Sequence, residues 1–386
     1  MSSEIVKDLR PAPPRGSYDA ALAGLVASSR TRIAHIDSGI APHPSLGFLG
    51  EEVEDAPPNI EIDEGVNFYD PENDPRPISP LRRNPDLLAP LIEYPDHGVK
   101  TLSVILGETA ALAGVAPRVR VVPYRIANGP LFRDDSGPHL PNRESTAALG
   151  RAIDAASALS PPARVMTISM GNPGVLGAFE WLRQLFGGRV GLDRGTGRAV
   201  DRAYEAGIIM VCAAGQIIDR VVYPAAYSRT VAVGGFDNRG AVFAHYPPDG
   251  YARPELVDIW ARAQRINRAS YLLEVNPPTP IHADDPRNPE REPSGTSYAA
   301  PQVAAAAALW VDRHFDRLEQ LFAAERWKIV ESFRIALRNS AELARAELRG
   351  GRTTEIRVLD IPKLLRTAPP DVAGAPAAHA TRQGLF

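Results

Sequence analysis

The central part of the chain alternates continuous apolar segments with segments of helical periodicity, and this alternation constrains the fold more than any other feature. Unbroken apolar segments of strand length are typical of strands buried on both faces of a sheet. The predicted strands are RVRVVPYRI (118–126), RVMTISMG (164–171), GIIMVCAAG (207–215) and RTVAVGGF (229–236), and the predicted helices are STAALGRAIDAASAL (145–159) and RAVDRAYEAG (198–207). Strands that alternate with helices form parallel sheets covered by those helices. The sequence therefore predicts an α/β fold of three layers, with a mostly parallel central sheet and helices on both faces.

Shorter patterns on either side of this region predict the remaining elements. TRIAHIDSG (31–39) predicts a first strand, and the helical pattern HGVKTLSVILGETAALAG covers residues 97–114. VDIWA (257–261) predicts a last short strand, and a charged amphipathic pattern predicts helix from about residue 314 to 349. VLDIPKLLR (358–366) predicts a closing strand and helix.

The same patterns predict one large domain between two less regular ends. Residues 1–30 form a Pro-containing N-terminal extension, residues 31–366 the domain, and residues 367–386 a flexible C-terminal tail. Within the domain, residues 50–80 are rich in Pro, Asp and Glu and have no clear periodicity. Such a segment is typical of a long surface insertion.

Composition and charge exclude several classes of protein. A net charge of -3 over 386 residues argues against a dedicated nucleic-acid binder. No stretch approaches 18 uninterrupted apolar residues, so the sequence predicts no membrane span, and the first residues lack the apolar core of a signal peptide. The single cysteine, Cys212, permits no internal disulfide, which fits a reducing compartment. These observations predict a cytoplasmic protein.

Three polar residues stand where predicted elements begin or end. Ser297 opens the alanine-rich helix in PSGTSYAAPQVAAAAAL, Asp37 ends the first strand, and His97 begins the helix that follows the acidic segment. A helix N-terminus carries partial positive charge and free N–H groups, so it suits a site where negative charge develops. Taken singly, each residue also has an ordinary interpretation as a helix cap or a turn residue.

The strings around these residues resemble the motifs of the subtilisin-like serine peptidases (subtilases, peptidase family S8). The three motifs are Asp37-Ser38-Gly39, His97-Gly98 and Gly295-Thr296-Ser297-Tyr298-Ala299-Ala300-Pro301, in that order along the chain. Further matches are His43-Pro44-Ser45-Leu46 after the first motif, the Gly-x-Ala-Pro strand GVAPRVRVVPYRI, the strand RVMTISMG, and VCAAG followed by YPAAYSRTVAVGG. The resemblance covers roughly residues 31–366 and implies a subtilisin-like fold.

The resemblance also implies roles for individual residues. Ser297 would be the nucleophile, His97 the general base and acid, and Asp37 the residue that orients His97. The segment Ser169-Met170-Gly171 would pair with an extended protein or peptide substrate as an added strand, although an ordinary sheet strand is the alternative. We therefore expect an intracellular serine endopeptidase of narrow specificity, or one regulated by a protein partner, that requires no cofactor.

One departure from the family's pattern falls in the predicted catalytic machinery. The family has Asn as an oxyanion donor after Ala-Ala-Gly, whereas this chain has Gln216, whose amide lies one methylene further out. If Gln216 is poorly placed, the site is weakened, and Gln216→Asn should raise turnover. The alternative function is then a catalytically weakened pseudoprotease, a regulatory module that holds an extended peptide in its cleft.

The acidic insertion raises the question of a metal site. Hard cations such as calcium favour several oxygen ligands, and seven carboxylates cluster in this segment. They are Glu51, Glu52, Glu54, Asp55, Glu61, Asp63 and Glu64. Their spacing is not that of a calcium-binding loop, so a solvated surface segment is the favoured interpretation and a calcium site is the alternative.

Overall fold

The computed structural model of the chain describes most of the predicted domain and little of the predicted N-terminal extension. The described residues are 7–8, 30–82, 94–109, 112–130, 145–171, 194–216, 221–237, 239–243, 257–282, 285–288, 295–348, 351, 353–372, 374–378 and 380.

Strands and helices alternate through the described residues. The strands are β1 (Lys7–Asp8), β2 (Arg32–Asp37), β3 (Val66–Asn67), β4 (Glu108–Thr109), β5 (Leu112–Ala113), β6 (Arg120–Arg125), β7 (Val165–Ile168), β8 (Ile209–Ala213), β9 (Val231–Phe236), β10 (Ile259–Arg262), β11 (Ala269–Leu272), β12 (Thr279–His282), β13 (Glu342–Glu347) and β14 (Thr353–Val358). The α-helices are α1 (His97–Leu106), α2 (Ser145–Ala158), α3 (Arg194–Glu205), α4 (Thr296–Arg313), α5 (Phe315–Phe322), α6 (Trp327–Ser340) and α7 (Ile361–Arg366). Short 3₁₀ turns lie at Pro44–Leu46, Val53–Asp55 and Ile62–Glu64.

Ten of the described strands form one sheet in the order β1-β13-β14-β10-β9-β8-β7-β2-β6-β3. Every neighbouring pair in this sheet is parallel except β13 and β14, which are antiparallel. The prediction of an α/β fold with a mostly parallel central sheet in three layers is confirmed. Because parallel strands share one direction, the carboxyl ends of β2, β6 and β7 lie at the same edge of the sheet.

Helix α4 is the central helix of the fold and contacts β7, β8, β9 and β10 as well as α1 and α7. Its run of five alanines, from Ala304 to Ala308, is fully buried. Small side chains let the helix axis approach the sheet closely, and one bulky residue, Trp310, fills the space further along. A larger residue in the alanine run would overpack this interface.

The helical prediction for residues 97–114 is wrong beyond Leu106. The backbone leaves the helix at Gly107, and Glu108–Thr109 pairs with Leu112–Ala113 as a short antiparallel hairpin. Gly114 N–H closes the hairpin by donating to the carbonyl of Gly107 at 2.8 Å. A Cβ on Gly114 would lie 2.4 Å from a backbone oxygen, so glycine is required for this close return of the chain.

The helical prediction from 314 to 349 is also wrong at its C-terminal end. Helices α5 and α6 fill the first part of that range, but Glu342–Glu347 forms strand β13. Ala344 and Ala346 are fully buried while Arg345 between them is exposed, which is the two-residue period of a strand. The strand sequence alternates charged residues with alanine, and this composition is also typical of a solvated helix, which is why the sequence predicted one.

The acidic insertion contributes to the edge of the sheet. Its strand β3 pairs with β6, and the carboxylate of Glu61 lies 2.9 Å from Arg32 on β2 and also contacts Arg120 on β6. The Arg32 and Glu61 side chains are both almost fully buried. Part of the acidic charge is therefore neutralised within the fold, whereas we had expected it all to be solvated.

The segment after α7 packs against the domain where the structure describes it. Val372 is buried in the main core, and the indole N–H of Trp310 donates to the carbonyl of Thr367 at 2.8 Å. Arg229 donates to the carbonyl of Ala378 at 3.1 Å. These contacts differ from the flexible tail that the sequence predicted for residues 367–386.

Candidate active site

Asp37 and His97 meet at the carboxyl edge of the sheet. Asp37 is the last residue of β2, and His97 is the first residue of α1. Nδ1 of His97 lies 2.6 Å from Oδ1 of Asp37, and both side chains are almost completely buried. Burial alone would raise the pKa of Asp37, but the facing His97 and its hydrogen bond outweigh it, so this pKa lies below its ordinary value.

The residues beside Asp37 and His97 fix the distance between them. The hydroxyl of Ser38 accepts a 2.9 Å hydrogen bond from the backbone N–H of Gly98. Gly39 turns the chain with a φ of +88°, a conformation that favours glycine. A Cβ on Gly98 would lie 1.9 Å from the Gly39 carbonyl oxygen, so no larger residue fits there. The two short motifs therefore form one interlocked unit.

Thr101 and His35 lie on the Oδ2 side of Asp37, away from the oxygen that faces His97, and neither was among the residues selected from the sequence. The hydroxyl of Thr101 donates to Oδ2 of Asp37 at 3.0 Å, and Nε2 of His35 lies 2.8 Å from that hydroxyl. The signal was present in the spacing, because residues two apart on a strand and four apart on a helix share a face. His35 and Asp37 have the first spacing, and His97 and Thr101 have the second.

Ser297 lies in the first turn of α4, which packs against α1. Its hydroxyl donates to the carbonyl of Ser169 at 2.7 Å, and among the described residues it makes no hydrogen bond to His97. The ring of the next residue, Tyr298, lies 6.5 Å from the imidazole of His97 between centroids. The structure therefore places the residue after Ser297 near His97, while the Ser297 hydroxyl itself is directed to the carbonyl of Ser169, just after β7.

Gln216 follows strand β8, and its side chain contacts the start of α4. Its Oε1 accepts a 2.8 Å hydrogen bond from the backbone N–H of Thr296, the residue before Ser297. The hydroxyl of Thr296 in turn accepts from the N–H of Gly215 at 3.2 Å. Because Oε1 accepts this bond, the other polar atom of the amide, Nε2, is a hydrogen-bond donor.

The predicted substrate segment follows β7 directly. Ser169 and Met170 are buried, and Met170 belongs to the main hydrophobic core. The N–H of Gly171 donates to the carbonyl of Pro130 at 2.9 Å. In this structure the backbone donor of Gly171 is therefore engaged by the chain itself.

Asp96 directly precedes His97, and aspartate before a helix is typical of a helix cap. It holds the cap position, but its side chain makes no capping hydrogen bond. Instead it forms a buried 3.1 Å ion pair with Lys100 and accepts hydrogen bonds from Ser270 and Tyr271 on β11. Burial alone would raise the pKa of Asp96, and Lys100 reverses this effect, so the pKa lies below its ordinary value.

Within the described residues, no group of three or more His, Cys, Asp or Glu side chains is arranged to hold a metal ion. The carboxylates of the acidic insertion that the structure describes are included in that statement. In the same described part, no helix has the length and apolar character needed to cross a membrane.

Comparison with known proteins links this geometry to one family. A model of the Subtilase family matches residues 28–348. Subtilisin DY of Bacillus licheniformis is 26% identical over 231 residues, which cover 56% of this chain and 64% of that protein. The chain thus spans less than two thirds of the length of this curated relative.

Two solved structures share the architecture. Proteases from Pseudoalteromonas arctica PAMC 21717 superpose with a TM-score of 0.59 at 19% identity, over 89% of this chain and 91% of theirs. The prenylagaramide maturation protease PagA superposes with a TM-score of 0.54 at 18% identity, over 90% of this chain and 96% of its own. At these identities the likeness concerns the fold alone.

Proposed function

The chain belongs to the subtilase family, and on that premise we propose that it is a serine endopeptidase that cleaves peptide bonds through an acyl-enzyme. The observation that carries the proposal is the 2.6 Å hydrogen bond between buried Asp37 and His97, together with Ser297 in the first turn of the neighbouring helix α4. A nucleophile needs a base, and the base needs an acid that fixes its tautomer.

In the proposed reaction, the hydroxyl oxygen of Ser297 attacks the carbonyl carbon of the scissile peptide bond. Nε2 of His97 takes the hydroxyl proton and later gives it to the leaving amine, while Asp37 holds the proton on Nδ1. Water then attacks the ester in the same way, releases the second product and restores Ser297. To begin, the Ser297 hydroxyl must turn from the carbonyl of Ser169, to which it donates at 2.7 Å, toward His97.

The negative charge of the tetrahedral intermediate requires donors that are already in place. We assign this role to the Nε2 group of Gln216 and the backbone N–H of Ser297 at the start of α4. The support is the 2.8 Å bond from Thr296 N–H to Gln216 Oε1, which orients the amide before substrate arrives. Preorganised donors stabilise developing charge more strongly than water, since they need no reorientation.

We propose that the substrate is a protein or peptide bound in extended form along Ser169, Met170 and Gly171, and that use of the site is narrow or regulated by a partner protein. The support is the bond from Gly171 N–H to Pro130, because an added strand must displace it before it can pair there. We further propose a cytoplasmic protein without a cofactor. Its one cysteine, Cys212, is buried and forms no disulfide.

A second function is a regulatory module that binds an extended peptide without cleaving it. The observation in its favour is the Ser297 hydroxyl, which donates to Ser169 and makes no hydrogen bond to His97 among the described residues. A serine held in this way lacks the activated hydroxyl that acyl transfer needs.

Covalent labelling by a fluorophosphonate separates the two functions. The purified protein should be labelled, and Ser297→Ala and His97→Ala should each abolish labelling. Ser157→Ala is a matched control, because this hydroxyl only donates within α2, to the carbonyl of Ile153.

Labelling that survives in Ser297→Ala would contradict the assignment of the nucleophile. Absence of labelling in the wild-type protein, both alone and with cell extract, would favour the binding module. Labelling that appears only with extract would support an activating partner.

A further inference from the structure

A chain of buried polar groups extends behind the Asp37–His97 pair. It runs from Nε2 of His35 to the hydroxyl of Thr101 over 2.8 Å, and from that hydroxyl to Oδ2 of Asp37 over 3.0 Å. His35, Thr101 and Asp37 are each at most 1% exposed. The two oxygens of Asp37 thus have different partners, since Oδ1 faces His97 and the N–H of Ser38.

The direction of the hydrogen bonds in this chain follows from the number of protons. The Thr101 hydroxyl has one proton and lies near two acceptors, Oδ2 of Asp37 at 3.0 Å and the carbonyl of Gly98 at 3.2 Å. The charged carboxylate is the closer and stronger acceptor. With its proton directed there, Thr101 can only accept from His35, so Nε2 of His35 carries the hydrogen.

The rest of His35 is consistent with this tautomer. Nδ1 of His35 is buried and has no hydrogen-bond partner among the described residues. A buried lone pair without a partner is tolerated better than a buried N–H. Burial lowers the pKa of His35 from 6.5 to about 4, so the ring is neutral near pH 7. A neutral ring adds a directed donor without placing a second cation beside Asp37.

We propose that His35 and Thr101 are positioning residues, which hold Oδ2 of Asp37 so that Oδ1 stays aligned with Nδ1 of His97. Only the expected effect on kcat rests on the proposed peptidase function; the effect on the alignment of His97 does not. A buried carboxylate held on one oxygen can rotate about its Cβ–Cγ bond, whereas bonds on both oxygens fix its plane. Positioning of His97 by Asp37 therefore depends on a second strand residue and a second helix residue.

The variants that test the proposal change one hydroxyl at a time. Thr101→Val removes the hydroxyl at nearly constant volume, and Thr101→Ser restores it. Thr167→Val is the matched control, because Thr167 pairs in register with His35 on the neighbouring strand, and its buried hydroxyl has no hydrogen-bond partner among the described residues.

Two measurements are needed, of which one does not require turnover. The first is the downfield proton NMR resonance of the Nδ1–H of His97, and the second is the separate determination of kcat and KM. Thr101→Val should shift or broaden the resonance and lower kcat about tenfold with KM unchanged, the size expected for one hydrogen bond. Thr101→Ser and Thr167→Val should match the wild type in both.

His35 is tested through its dependence on Thr101. His35→Leu should reproduce the effects of Thr101→Val, and His35→Gln, which keeps an N–H donor, should retain more activity. The double variant His35→Leu/Thr101→Val should lose no more than Thr101→Val alone, since both act through one chain. Multiplied losses would overturn the role of His35.

The outcomes distinguish this proposal from the proposed function. A wild-type resonance and kcat in Thr101→Val would overturn the positioning role while the peptidase function stands. A protein without peptidase activity whose resonance still moves in Thr101→Val, but not in Thr167→Val, would support positioning and reject the function.

Discussion

Gln216 shows how one residue can depart from a family's pattern and still fit its surroundings. Its Oε1 accepts from Thr296 N–H at 2.8 Å, and a Cβ on Gly295 would lie only 3.1 Å from the same atom. The sequence alone allowed a poorly placed amide that Asn would improve. The bond to Thr296 indicates instead that this cleft is built around the longer side chain.

We therefore expect Gln216→Asn to lower kcat, because the shorter amide cannot reach both Thr296 and the oxyanion position. Gln216→Glu should lower kcat further, by about 10²–10³-fold, since it keeps an acceptor for Thr296 but removes the donor and adds negative charge. Steady-state kinetics with a chromogenic peptide measures both. A rise in kcat for Gln216→Asn would reject this view of Gln216.

At the residue scale, the sequence points to Asp37, His97 and Ser297 as candidates, because each lies in a short motif at the end of an element. It did not locate His35 and Thr101, although their spacing to Asp37 and His97 was visible. Spacing shows which residues share a face of one element. It does not show which strand face meets which helix face, and that contact between β2 and α1 is what unites the four side chains.

Among the elements, α1 is tied to the β11–β12 hairpin by a buried ion pair. Asp96 and Lys100 are 1% and 3% exposed at their side chains, and Asp96 also accepts from Ser270 and Tyr271 on the hairpin. The hairpin thus supports the helix that begins with His97. A buried charge whose partner is removed strongly destabilises a fold, whereas replacing both partners does so far less.

Lys100→Met should lower the free energy of unfolding by about 3–5 kcal/mol, because Asp96 is left buried without its counter-charge. The double variant Asp96→Asn/Lys100→Met should be close to wild type. Arg202→Met is the control, since its pair with Asp154 is half exposed and should contribute less than about 1 kcal/mol. Urea unfolding measures all three, and equal losses in the single and double variants would contradict the argument.

Element boundaries were predicted well where apolar patterns are long and poorly where small residues dominate. Strands such as β6 and β9 have continuous apolar runs, and such runs are typical of strands that are buried on both faces of a sheet. The hairpin after Leu106 and the strand Glu342–Glu347 are rich in alanine and charge, and such residues suit helices by propensity. In the second case tertiary contacts outweigh helix propensity, because strand β13 pairs with β14 along its whole length.

Across the whole molecule, two buried histidines make stability depend on pH. Burial lowers the pKa values of His35 and His43 from 6.5 to about 4. Above pH 6.5 both rings are mostly neutral in the folded protein and in the unfolded chain. Between pH 6.5 and 4 the unfolded chain binds protons at these positions and the folded protein does not, so stability decreases as pH falls through this window.

Each histidine should contribute a loss of up to about 1.4 kcal/mol per pH unit within that window. The free energy of unfolding, measured in urea at several pH values, should therefore fall more steeply between pH 6.5 and 4 than in the variant His35→Gln/His43→Gln. Equal slopes for the wild type and the variant would show that neither histidine stays neutral on folding.

The chain order of the site has a consequence for the protein during its synthesis. Asp37 and His97 leave the ribosome early, but Ser297 and helix α4 follow only after all of β2 to β12. Since α4 also fills the space against β7–β10, the sheet cannot complete its core before Ser297 has been synthesised. If the proposed mechanism holds, a growing chain therefore lacks its nucleophile and cannot cut itself or its neighbours on the same messenger RNA.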